Sequence, residues 1–350
     1  MHNSHRYLRG FGLVVAAVVA LTGCGSSAGG GANPPVQAVH EVRGADVVYS
    51  MSIDGRLAGV SNGRAAYWPS HGAPPVPLPT LPGHVTVSAR SVSADGRIVG
   101  YLKTQPLVSY KPVIWDSPTA DPRLLPVPQG FSVRDLPMVV GNNNLVVGSL
   151  PIAGQGDTAL AVWRVDANAS TVTNTADARG QQPHSMSDSG VLVTAIDFTR
   201  RLWQIDLQTG ALGNPLNFTA TTGTGYALPE SVSTKGRIIG LAGATAASAR
   251  PAWYKNLNGT ATFLPAPANF RIHSLTAGDG IVFGATTYNA GQFRAYAWRN
   301  DRLIDLNTRL PANSGLTLER VIGVSATNDV LVSGRQQGVA APVYRVITGV

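Results

Sequence analysis

Five side chains in this sequence combine reactive chemistry with a shared position. Tyr49, Arg90, His184, Glu230 and His273 each stand immediately before a Ser-[Val/Met/Leu]-[Ser/Thr] triplet, with Leu136 and Ile322 in the same place in weaker copies. Neighbouring positions are nearly constant, whereas this one is polar and different in almost every copy. A phenol, a guanidinium, two imidazoles and a carboxylate are the groups that gather a polar ligand, and together they form the candidate ligand-binding set. His184, Glu230 and His273 fall in successive copies, and imidazole and carboxylate are also metal-ligand and acid–base types. No local spacing supports a metal, so none is assigned. The chain has no G-x-S-x-G, H-E-x-x-H, C-x-x-C or P-loop, so no catalytic residue and no cofactor are assigned.

The elements that must position these residues are short strands. SVSADGRIVGY at 91–101 reads as a strand, an Asp-Gly turn and a second strand, because Gly takes positive φ without steric cost. The same pattern returns as SMSIDGRLAGV, SVSTKGRIIGL, SMSDSGVLVTA and SLTAGDGIVFGA, with weaker copies at 139–149 and 323–334. An apolar strand with one large aromatic follows each copy, carrying Trp68, Trp115, Trp163, Trp203, Trp253, Trp298 and Tyr344. Trp68 and Trp298 are 230 residues and five steps apart, a mean of 46. That period with all-β character predicts a seven-bladed β-propeller of four-stranded antiparallel blades.

A Leu/Pro-rich fourth strand suits the outer edge of a blade, where a missing N–H leaves no ladder bond unmade. The glycines ending strand two (Gly59, Gly100, Gly148, Gly240, Gly284) are expected to make room for an indole. The seventh copy lacks a fourth strand before Val350, and Val36 to Val42 precedes the first copy. The ring is therefore expected to close by pairing Val36–Val42 as the outer strand of the last blade. Strand one is innermost, which puts the variable column near the central channel, where convergent polar groups form ligand sites. Residues at such a wet mouth are expected to be replaceable at little cost in stability.

The S-x-[ND]-G-x-[VI]-V-G repeat followed by an aromatic strand resembles the HAF-type extracellular repeats of bacterial secreted proteins, over about residues 45–350. The resemblance implies a repeat architecture outside the cytoplasm and no common activity. Strand three here has X-Trp in place of the family's His-Ala-Phe.

At the amino terminus, Arg6 and Arg9 precede an apolar run from Phe11 to Leu21, too short to span a bilayer and typical of a signal-peptide core. Leu21-Thr22-Gly23-Cys24 resembles the lipobox of bacterial lipoproteins, which implies lipidation of Cys24 and a membrane anchor. The expected organisation is a signal peptide at 1–23, the lipidated Cys24 and a flexible tether at 24–35, and the propeller at 36–350. Cys24 is the sole cysteine, so no intrachain disulfide exists.

Removing residues 1–23 takes two of the 27 basic residues and none of the 19 acidic ones. An Arg-rich, net positive domain could attract an acidic glycan or an acidic envelope protein. The basic residues are scattered and the chain is exported, so nucleic acid is not an expected partner, and the propeller is expected to be a monomer. The expected function is a lipid-anchored cell-envelope module for ligand or protein binding, on the periplasmic face or the cell surface. The alternative is an envelope glycan lyase or hydrolase with its site at the channel mouth.

Overall fold

The computed structural model describes residues 38–350 apart from 105–108, 167–168, 174–176, 197–198, 219–224, 258, 268–269, 271, 281, 290 and 301. Cys24, the signal peptide and the tether lie outside the described residues. Seven antiparallel sheets follow one another along the chain as the blades of a propeller. Their innermost strands are Val47–Met51, His84–Val92, Met138–Val140, Gln182–Met186, Tyr226–Val232, Ile272–Thr276 and Leu316–Val324. Outer strands are short: Val76–Pro77, Arg123–Leu124, Ala169–Thr173, Thr262–Phe263 and Arg302–Asp305. In blade 4 the outer position is held by two isolated bridges, Leu202 to Leu216 and Ile205 to Leu212. Two 3₁₀ turns, Ala246–Ser248 and Leu306–Arg309, are the helical elements bounded among the described residues.

Each residue of the repeat has a definite task. The second serine of the triplet caps the turn: Ser52, Ser187, Ser233 and Ser325 each accept the N–H four residues on, at 3.0–3.1 Å. The turn then needs a left-handed residue, supplied by Gly55, Gly96, Gly190 and Gly236, and by Asn144 and Asn328 where glycine is missing. The first serine works outward. Ser50, Ser91, Ser185 and Ser231 accept the backbone N–H of Val92, Val140, Val232 and Ala277 in the next blade, at 2.9–3.3 Å.

The strand-three aromatics fill the spaces between blades. Trp68, Trp115, Trp163, Trp203 and Trp298 are fully buried. Trp253 is the exception, because Tyr254 pairs with Ile238 and takes the buried place one residue later. The Pro-rich outer segments do more than blunt an edge. Trp115, Trp163 and Trp298 donate their indole N–H to the carbonyls of Pro79, Pro126 and Pro265, each just past the outer strand of the preceding blade, at 2.7–2.9 Å.

The glycine expectation needs correction at four of its five positions. A Cβ on Gly59, Gly100 or Gly240 would run into a strand-one backbone carbonyl, that of Val47, Ser88 or Leu228, and not into an indole. Only Gly148 meets a tryptophan, Trp163, and Gly284 meets Val321. The backbones approach this closely because strand one is bulged opposite them.

Ring closure follows the expected route. Val39–Glu41 pairs antiparallel with Val343–Ile347, with Val39 opposite Ile347 and Glu41 opposite Arg345. The Val42 N–H donates to the Tyr344 carbonyl at 3.1 Å, and the Thr348 N–H to that of Ala38 at 3.0 Å. Val42 is buried against Val48, Trp68 and Tyr344. Trp68 donates to the Arg43 carbonyl at 3.0 Å, so the latch also serves as the outer segment that receives the next blade's indole. A handful of net hydrogen bonds at about 1 kcal/mol each, with half-buried Val39 and buried Val42, amounts to several kcal/mol. Deleting residues 25–33 should leave the melting temperature unchanged, whereas extending the deletion through Val42 should lower it by roughly 10 °C. Calorimetry on the two truncations checks this, and equal melting would rule the latch out.

Candidate functional site

The variable column coincides with a backbone irregularity. Strand one gains an extra, unpaired residue between Val48 and Ser50, Ala89 and Ser91, Pro183 and Ser185, Pro229 and Ser231, and Ile272 and Ser274. Those extra residues are Tyr49, Arg90, His184, Glu230 and His273, and Ile322 is one in blade 7. A bulge residue is excused from the ladder and its side chain is re-aimed, which is why the repeat does not dictate its type. Blade 3 pairs Met138 directly with Gly148 and carries no bulge there, so Leu136 does not belong to the set.

The innermost strands enclose a cavity of about 490 Å³. Tyr49, Arg90 and His184 line it among the serines of the repeat, while Glu230 and His273 are not part of its wall. Arg90 is clamped. Its Nε and Nη2 pair with the two oxygens of Asp135 at 2.9 and 2.8 Å, Ser88 donates to the same carboxylate at 2.7 Å, and the Tyr49 ring lies 4.0 Å beneath the guanidinium. A bidentate pair stacked on an aromatic ring is a rigid wall element, spanning blades 1 to 3.

The second half of the mouth is organised by Arg200, from strand three of blade 4. Its Nε is 3.5 Å from Oε2 of Glu230, both side chains being largely buried. Burial raises the Glu230 carboxyl above the ordinary range, and Arg200 opposes that shift. His184 is exposed where it borders the channel cavity. Loss of surrounding water, and secondarily the Arg200 charge, pulls its pKa down to about 4, so it stands neutral at pH 7. His273 is lowered by burial first and by Arg320 and Arg200 next. His273 faces away from the cavity toward Phe293, with ring centres 5.0 Å apart. Among the described residues no three His, Cys, Asp or Glu side chains are grouped to hold a metal, and a guanidinium already supplies positive charge between His184, Glu230 and His273.

Sequence reasoning missed Asp135 and Arg200. Three residues before the blade's tryptophan the other Trp-bearing blades have Ala65, Pro112, Leu160, Arg250 and Ala295, so position alone does not single out Arg200. Nor is the whole column replaceable at little cost. Removing Arg90 or Glu230 would strip a partly buried opposite charge of its partner.

The fold and this site define a velcro-closed, seven-bladed propeller with a polar channel. No protein family and no curated protein matches the sequence. Solved structures do match in fold. A YCF48 protein bound to D1 peptide is similar over 90% of this chain and 97% of its own, with 12% identity and a TM-score of 0.53. The β-propeller domain of the Trilobed protease from Pyrococcus furiosus, described as having an open velcro topology, is similar over 85% of this chain and 92% of its own, with 7% identity and a TM-score of 0.54. A prolyl endopeptidase matches 73% of this chain with 13% identity and a TM-score of 0.47, and the chain spans only 40% of that protein.

The folded-state pKa of His184 lies below its unfolded value of about 6.5. The unfolded chain therefore binds the proton first, and the residue's contribution to stability, complete above about pH 6.5, is lost as the pH falls toward 4. In an NMR titration the His184 ring should change shift with a midpoint near pH 4, and His184→Gln should flatten the fall in melting temperature between pH 6.5 and 4. A midpoint near 6.5 would contradict the site as described.

Proposed function

We propose that the chain is a lipid-anchored module of the bacterial cell envelope whose propeller binds a polar solute or the polar end of a partner at the bulged mouth of its channel. The observation that carries the binding role is the cavity of about 490 Å³ with Tyr49, Arg90 and His184 on its wall. Its rigid part is the Arg90–Asp135 pair, and its adaptable part is the neutral His184, which can both donate and accept a hydrogen bond. The anchor rests on sequence: the apolar run to Leu21, the Leu-Thr-Gly-Cys ending at Cys24 and the Gly/Ser-rich tether. Two lipid signals, a diacylglyceryl group and an N-acyl chain on Cys24, suffice for stable attachment. The repeats' resemblance to HAF-type extracellular sequences supports export.

The test separates anchor from channel. Wild-type protein expressed with its signal should be processed and partition into the detergent phase, while Cys24→Ala should accumulate as precursor and stay aqueous. Native mass spectrometry of the extracted protein should find a non-covalent adduct that His184→Ala loses. Processed, detergent-phase Cys24→Ala protein refutes the anchor. Empty wild type, or equal occupancy in the variant, refutes the channel site.

A further inference from the structure

Outside the channel wall, three elements of blades 6 and 7 converge on Phe293. The hairpin of Val282–Asn289 and Gln292–Arg299 is long for this ring, eight residues a side, and it sets Tyr288 directly opposite Phe293 with ring centres 4.7 Å apart. His273, the blade 6 bulge residue, meets the same ring edge-on at 5.0 Å. Arg320, from the innermost strand of blade 7, lays its guanidinium 4.0 Å over it. Tyr288 is 46% exposed, and His273 and Arg320 are exposed as well. None of the four residues lines the channel cavity.

The charge here is uncompensated. Carboxylates of the neighbouring strands are already taken: Glu319 by Arg335 at 2.9 Å, Asp305 by Arg294 at 2.9 Å, and Glu230 by Arg200 at 3.5 Å. Arg320 forms no ion pair among the described residues. Arg320 is exposed while stacked on Phe293, and a guanidinium so held can grip a carboxylate through two hydrogen bonds. Phe293 also lines a groove of about 690 Å³ beside the hairpin, with Gln292, Asn313 and Ser314 contributing amides and a hydroxyl.

We propose that this platform and groove form a second binding site, for an oligosaccharide containing uronic acid. The sugar carboxylate pairs with Arg320, the flat C–H face of the pyranose rests on Tyr288, His273 hydrogen-bonds a hydroxyl, and the next units follow the groove. A shallow surface with one open aromatic face suits a sugar ring better than a peptide side chain, which needs a pocket. The site goes beyond the channel reading, since the two share no lining residue.

The experiment uses the propeller domain with its latch intact and a hexamer of galacturonic acid as probe, followed by calorimetry at low and at physiological salt. Wild type should bind the hexamer, and its methyl ester and a neutral cello-oligosaccharide at least about tenfold more weakly, the value of one charge-assisted contact. Arg320→Gln and Tyr288→Ala should each lose about tenfold or more while melting as wild type does, because both residues are exposed. His184→Gln, in the channel, should bind the hexamer unchanged, so failure here and failure of the channel site are told apart. No binding of the hexamer at millimolar concentration, equal binding of its methyl ester, undiminished binding by Arg320→Gln, or tighter binding of an acidic peptide or anionic vesicles than of the hexamer would each overturn the proposal.

Discussion

Among the described residues the blades of this ring are separate sheets, and the latch strand completes the last of them. At four seams what ties them at the axis is a side-chain hydroxyl, the first serine of the repeat accepting a backbone N–H at or just past the innermost strand of the following blade. Between blades 6 and 7 the Thr286 hydroxyl accepts from the Val321 N–H instead. An innermost strand has a single ladder neighbour, so an N–H on its open side has no ladder partner and needs another acceptor. A buried donor left unmet costs more than a hydrogen bond gains, so the serine is nearly obligatory. Further out, the indole-to-carbonyl bonds tie the same blades at the rim.

A third set of contacts runs around the turns. Arg56 reaches the Ala94 carbonyl, the Ala94 N–H reaches Asn142, the side chain of Asn142 reaches Asp188, the Asp188 N–H reaches Thr234, and the Ala326 N–H reaches Ile53 across the closure. These contacts fix the face opposite the bulges. The bulges follow from the same arrangement, since strand one must both pair with strand two and offer its serine sideways. The extra residue absorbs the difference, and the glycine opposite lets the two backbones approach. The side chain at the bulge is left out of the ladder, so the repeat does not dictate its type, and partners such as Asp135 and Arg200 fix it locally instead.

Much of this was legible because repetition exposes what each position must do. The blade count, the period, the turn glycines and the closing strand all follow from copies laid side by side, and the missing fourth strand after Val343–Ile347 pointed to its replacement. Three features were not legible. Trp253 looks like the other tryptophans, yet a one-residue shift hands its place to Tyr254, and no local pattern marks that register. The glycines opposite the bulges looked like space for a ring, because a bulge has no signature beyond the variability it permits. Asp135 and Arg200 lie outside the repeated column, so the partners that clamp Arg90 and flank Glu230 emerge only in three dimensions.

Amide hydrogen exchange on the domain in which Ser50, Ser91, Ser185 and Ser231 are all changed to alanine tests most directly whether the serines hold the ring together. In the wild type the N–H groups of Val92, Val140, Val232 and Ala277 should exchange only through global unfolding. In the variant those four should exchange far faster, with global stability lowered by about 1 kcal/mol or more per serine. Unchanged protection of the four amides, with unchanged stability, would contradict the account.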